Sequence, residues 1–179
     1  MPVPQLRDRT SSVEPTPPRG SGEPVWDLIE LLFFAYRDFV GDADEALAEF
    51  GFGRAHHRVL HFVTRHPGMK VADLLEILNI TKQSLARVLK QLVDEGYVLQ
   101  KEGANDRRQR LLYATPTGEA LAMKLAGLQT QRIAQALDDI GPGAREEARR
   151  FLIAMIDGRD REHVLQLIAR ADRLRQSQP

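Results

Sequence analysis

Between residues 71 and 117 the spacing of apolar side chains switches from helical to strand-like and back, and few folds accept that order. Residues 71–78 (VADLLEIL) put Val71, Leu74, Leu75 and Leu78 on one helical face. Asn79 then stands where a helix ends in the left-handed region, a position glycine fills most often and asparagine next. Ile80 can plug the turn, and Thr81 can cap a following helix. That helix, residues 82–95, turns Leu85, Val88, Leu89, Leu92 and Val93 inward and is closed by Gly96. Residues 97–101 (YVLQK) and 110–114 (RLLYA) are β-like and flank a polar loop containing Gly103 and Asn105, which predicts a hairpin of the longer-loop kind. Thr115 and Pro116 suit the cap and first position of a new helix. The stretch therefore predicts a helix-turn-helix followed by a β-wing.

The outward side of the second helix carries Lys82, Gln83, Ser84, Arg87, Lys90 and Gln91, with no acid on that face before Asp94. Ordinary solvated helix faces mix both signs. Donor-rich side chains of this kind reach base edges in the major groove of DNA. The hairpin tip is expected to carry Asp106, Arg107, Arg108 and Arg110. The chain as a whole is neutral, with 25 basic and 25 acidic residues. Across residues 81–115, however, Lys82, Arg87, Lys90, Lys101, Arg107, Arg108 and Arg110 stand against Asp94, Glu95, Glu102 and Asp106. The overall balance thus hides a local cationic patch, which contact with phosphates requires.

The flanking sequence reads as packing material. Residues 23–40 form a helix with a stripe of Trp26, Ile29, Phe33, Tyr36 and Val40 and a second apolar face of Leu28, Leu32 and Phe39. Two apolar faces need two partners, either the chain's own core on both sides or a second subunit on one. Residues 41–53 are expected to be a linker around a short helical piece, 43–50, and residues 54–65 the next helix, stopped by His66-Pro67-Gly68. After residue 116 come helices over 116–139, 144–156 and 160–173, whose apolar positions include Phe151, Met155 and Leu167. These helices show little basic bias. With Trp26, Ile29, Phe33 and Tyr36 they make a plausible dimerisation unit. Residues 1–22, rich in Pro, Ser, Gly and Arg, are expected to be a disordered arm.

Other chemistries find little support. The absence of cysteine excludes disulfides, thiolate zinc sites and thiol sensors. No run approaches the roughly 20 apolar residues of a membrane span, so a cytoplasmic protein is expected. There is no glycine-rich phosphate loop and no nucleophile motif, and Asp42, Asp44 and Glu45 lack the glycine offset of a calcium loop. An enzyme is not expected, nor a cofactor. His57 and His61 share a helix face and His56 adjoins them, a spacing that can bind zinc, but no third or fourth ligand is identifiable. The alternatives are packing at a junction between regions and hydrogen bonding to phosphate.

The segments DLLEILNITKQSLARVLKQLVDEGYV and DRRQRLLYATPTG resemble the MarR family of winged helix-turn-helix transcription regulators, over roughly residues 25–137. Asp106 and Arg108 match its wing motif, and Thr115 and Gly118 the motif that follows; Ala114 and Asn79 depart from the usual Leu and Gly. Through GFGRAHHRVLHFV the chain is most similar to the PetP-like branch. The resemblance implies a mainly α fold with a small β-wing, the N- and C-terminal helices forming a dimerisation unit. With the arm read from composition (1–22), the expected divisions are a dimerisation helix and linker (23–53), a winged helix-turn-helix (54–116) and C-terminal dimerisation helices (117–175). The resemblance further implies a homodimer binding double-stranded DNA at a palindromic operator, with half-sites on the order of 34 Å apart. Thr81, Lys82, Gln83, Ser84 and Arg87 would face bases and phosphates, Arg108 would enter the minor groove, and Asp106 would brace the wing. A small-molecule effector binding between the two domains is a further implication. Two readings compete with this one: a winged helix used as a protein-interaction module, and a metal- or haem-responsive regulator using His56, His57 and His61.

Overall fold

The computed structural model describes residues 23–103, 106 and 108–176. The arm expected over 1–22 and Arg107 of the wing lie outside the described residues. The chain divides into two units, 1–35 and 36–179, with the boundary inside the first helix. In order the elements are α1 (Trp26–Ala48), α2 (Arg54–Arg65), β1 (Met69–Lys70), α3 (Val71–Leu78) and α4 (Lys82–Asp94). They are followed by β2 (Val98–Glu102), β3 (Arg110–Ala114), α5 (Pro116–Ile140), α6 (Ala144–Met155) and α7 (Arg161–Gln176). No helix among the described residues is long and apolar enough to cross a membrane.

In the first unit the opening turns of α1 leave Trp26, Leu28, Leu31, Leu32, Phe33 and Phe34 exposed. α1 also corrects the sequence reading of residues 41–53. No linker begins at Gly41, and the helix runs on to Ala48. A helical glycine costs about 1 kcal/mol. Complete burial of Ala43 and Leu47 on the next two turns outweighs that cost, since one buried leucine contributes roughly 1.5–3 kcal/mol. Asp42, beside the glycine, also accepts from both the Nε and Nη2 of Arg132 on α5, at 2.8–3.1 Å.

The second unit is built on α2. One side of this helix packs against α5 and another against α4. Val59, Leu60 and Val63 are inaccessible to solvent, in a core shared with Leu74, Leu85, Leu92, Val98, Leu112 and Leu125. This core runs from Ala43 to Leu125, so it draws on residues either side of 54–116. The sheet order is β1-β3-β2, all antiparallel, with Val98 opposite Ala114 and Glu102 opposite Arg110. β1, two residues long and pairing Met69 with Leu112, went unseen in the sequence because so short a strand has no period to detect.

Two backbone positions set the helix-turn-helix and the exit from the wing. Asn79 is the one non-glycine residue with positive φ among those described (φ 49, ψ 49), and it ends α3 as its side-chain type suggested. Gly118 touches Tyr97, and a Cβ there would fall 2.1 Å from the Tyr97 carbonyl oxygen. The Thr115 hydroxyl accepts the Gly118 N–H and donates to the Gly96 carbonyl, so the start of α5 is stitched to the end of α4. α6 and α7 carry little burial of their own: Ala144 is the buried residue of α6 and Ala171 that of α7.

Candidate nucleic-acid interface

α4 has an apolar inner face and a polar outer one. Leu85, Val88, Leu89 and Leu92 are buried, while Lys82, Gln83, Ser84, Arg87 and Lys90 are exposed. The Thr81 hydroxyl accepts the Ser84 N–H at 3.1 Å and donates to the Ser84 hydroxyl at 2.9 Å. Both hydroxyls therefore serve the helix start in this state. Lys90 is paired with Asp94 one turn on. Lys82, Gln83 and Arg87 keep their donors clear of partners among the described residues, at the N-terminal end of the helix, where groove-reading side chains sit in helix-turn-helix proteins.

Gln91 departs from the sequence reading, which set it on the outward face. It is half-buried and bonded to His56 on α2. A polar residue at the edge of a helical stripe can turn either way, and periodicity does not decide which. Sequence reasoning also missed Arg58, whose Nη2 donates to the Leu78 carbonyl at 2.9 Å. That carbonyl lies in the last turn of α3, where carbonyls lack helical partners and carry the negative end of the helix dipole. α2 thus grips α3 through Arg58 and α4 through His56.

The wing turn closes on itself. The Gly103 N–H donates to the Gln109 carbonyl at 3.1 Å, and the Gln109 N–H donates to the Asp106 carbonyl at 3.0 Å. The Asp106 carboxylate accepts the Arg108 N–H at 2.9 Å, which leaves the Arg108 side chain exposed at the turn. Arg110 is not at the tip. It begins β3 and donates to Glu102 across the ladder at 3.0 Å, so part of its charge is spent within the wing. A cleft of about 580 Å³ is lined from the helix-turn-helix by Val71, Ala86, Leu89, Lys90 and Val93 and from the wing by Arg108.

The histidines do not assemble into a metal centre. Among the described residues no group of three or more His, Asp or Glu side chains is arranged to hold an ion. His57 and His66 are buried, and burial lowers the pKa of both. Asp44 pulls His57 the other way, whereas Arg65 and Arg170 push His66 further down. His61 meets Phe62 edge-on at 5.1 Å.

The expected dimerisation residues are Trp26, Phe33, Tyr36, Phe151 and Met155, all exposed in the single chain, and Ile29 and Leu167, both half-buried. Phe33 keeps 69% of its surface and Phe151 54%.

Comparison with known proteins places these features in a common setting. Residues 50–109 match the MarR family. The HTH-type transcriptional regulator PetP of Rhodobacter capsulatus is 44% identical over 135 residues, which span 75% of this chain and 81% of that protein. The structure of the transcriptional regulator SlyA superposes with a TM-score of 0.64 at 19% identity, over 77% of this chain and 99% of that one. Streptococcus pneumoniae FabT, solved in complex with DNA, gives 0.66 at 13% identity, over 74% and 94%. At such identities the two structures speak for the winged-helix fold alone.

Proposed function

Since the chain belongs to the MarR family of transcriptional regulators, we propose that it works as a homodimer reading a palindromic operator in duplex DNA. The observation that carries this is the outer face of α4. Lys82, Gln83 and Arg87 have no partner among the described residues and project from a helix whose other side is locked into the core. The exposed Arg108 side chain on the wing supplies a second contact at a fixed offset. Lys90 and Arg110 contribute charge that Asp94 and Glu102 partly offset. Thr81, Ser84 and Asp106 act by shaping the ends of α4 and of the wing turn. Arg107 is assigned to the same surface on its sequence position.

Dimerisation is supported by the apolar side chains that the single chain leaves in water on α1 and α6, notably Trp26, Phe33, Phe151 and Met155. Monomers rarely carry so many large apolar groups unburied without a partner for them. A second copy brings a second α4, which is what a two-fold operator demands. Control by a small effector rests on the resemblance. A protein-interaction module would place apolar or acidic side chains on the outer face of α4, and this chain places cations and amides there.

The test is a mobility-shift titration against duplexes selected from a random pool, repeated over a range of salt concentrations. The expected result is specific binding whose affinity falls steeply as salt rises, by a slope of about 0.9 for each phosphate neutralised. Lack of any binding at low salt would sink the reading.

A further inference from the structure

The arginines of α2 have different kinds of partner. Arg54 is paired with Asp44 of α1 at 2.7 Å, and Arg65 with Asp172 of α7 at 2.6 Å. Arg58 lies between them in the chain, is exposed, and meets no carboxylate among the described residues. Its Nη2 donates instead to the Leu78 carbonyl at 2.9 Å. A carbonyl carries no net charge, and even the negative end of a helix dipole amounts to only about half a charge. The bond therefore fixes where the guanidinium stands and leaves much of its charge uncompensated. It also uses a single N–H, so one paired edge of the planar fork stays open, and that edge matches a phosphate. A free arginine gives up rotamer freedom when it binds an anion. One already seated on a carbonyl has less freedom to lose.

The seat of this cation is close to the entry of α4. Leu78 ends α3 and Lys82 begins α4, so chain length alone keeps the Leu78 carbonyl within about 14 Å of the start of α4. α2 lies along the flank of α4 that carries Gln91, through the His56 contact. The wing lies along another flank, where Arg108 lines the cleft with Ala86, Lys90 and Val93. A helix seated in the major groove, which is about 12 Å wide, has a row of phosphates on either side. We propose that Arg58 is a DNA-contacting residue: its guanidinium, held on the Leu78 carbonyl, closes on a backbone phosphate beside the entry of α4. Contacts of this kind set the register and orientation of a protein on the duplex and carry no sequence information themselves. Arg58 thus fixes how α4 sits in the groove, while Lys82, Gln83 and Arg87 meet what the groove presents.

This inference rests on duplex binding through α4, and the experiment tells the two apart. A duplex is selected by the parent from a random pool, and its phosphates are replaced one at a time by neutral methylphosphonates. Arg58→Gln and Arg58→Met remove the charge, Arg58→Lys keeps it, and circular dichroism checks that each variant is folded. The parent should show a phosphate whose replacement costs about ten-fold in affinity, and at which both uncharged variants lose nothing further. Those two variants should bind the unmodified duplex about ten-fold or more weakly than the parent, and unrelated duplexes more weakly by the same factor. Their salt slopes should be lower by about 0.9 for each protomer bound, while Arg58→Lys keeps the parent's slope. A side chain that only caps α3 would leave the slope and the methylphosphonate profile as in the parent, whatever its loss did to the urea midpoint. An unchanged slope, or an unchanged profile, in both uncharged variants would overturn the proposal. A parent that binds no duplex at low salt would overturn DNA binding and this contact together. A parent that binds with a profile indifferent to Arg58 would strike the contact alone.

Discussion

Gly118 stands against the backbone of Tyr97 so closely that a Cβ would lie 2.1 Å from the Tyr97 carbonyl oxygen. The same carbonyl accepts the Thr115 N–H at 3.1 Å, so it is not free to move aside. Gly118→Ala is therefore expected to destabilise the fold by roughly 2–3 kcal/mol, in the range of an overpacked core site. Gly127, in mid-α5 with nothing near an added Cβ, should behave oppositely, and Gly127→Ala should gain about 0.5–1 kcal/mol. Urea unfolding of the two variants measures both signs, and a neutral Gly118→Ala would discredit the contact.

DNA affinity should respond differently to the wing and to α4. Arg108→Ala should reduce affinity about ten-fold or more and lower the salt slope by about one phosphate equivalent, with the urea midpoint unchanged. Arg87→Ala should cost about 1–3 kcal/mol and relax the sequence preference at one or two operator positions. A selection experiment on each variant reads these outcomes. Unaltered base preference in Arg87→Ala would move that side chain from bases to phosphates.

Assembly should fail when the exposed face of α1 is charged. Phe33 is 69% exposed in the single chain, and the proposed homodimer would bury it. Phe33→Arg, present twice per dimer, should weaken association by roughly 3 kcal/mol or more, over a hundred-fold. Sedimentation at micromolar concentration should show a dimer for the parent and a monomer for the variant. A parent that sediments as a monomer would contradict the homodimer.

Acid should weaken the fold through His57 and His66. Burial lowers the pKa of each below its ordinary value of 6.5. The folded state therefore holds both rings neutral while the unfolded chain protonates near 6.5, and the extra protons belong to the unfolded state. Stability from these groups is present above that pH and is lost as pH falls below it toward the folded values. Urea midpoints should drop on acidification, and less so in His57→Gln. An equal drop in parent and variant would exclude His57 as a contributor.

Much of the helix-turn-helix was legible because its signals are local. The inward spacing of Leu85, Val88, Leu89 and Leu92, the αL asparagine and the Thr81 and Thr115 caps each act within a turn or two of the chain, and the structure places all of them as read. Gly41 misled because a local breaker was weighed without the burial of Ala43 and Leu47 that outweighs it. Gln91 misled because its side chain was counted with the outward donors of α4, whereas His56, 35 positions earlier, draws it inward.

The sequence by itself determined the helices of the helix-turn-helix, the two longer strands and which local stretch is cationic, since those depend on side-chain period, backbone preference and capping between near neighbours. Only the tertiary structure decided which of the polar side chains on α4 remain free, that Arg110 spends its charge on Glu102, and that α2 grips the helix-turn-helix through Arg58 and His56. Those outcomes depend on distances between residues remote in the chain, which the packing of α2 against α4 and α5 sets.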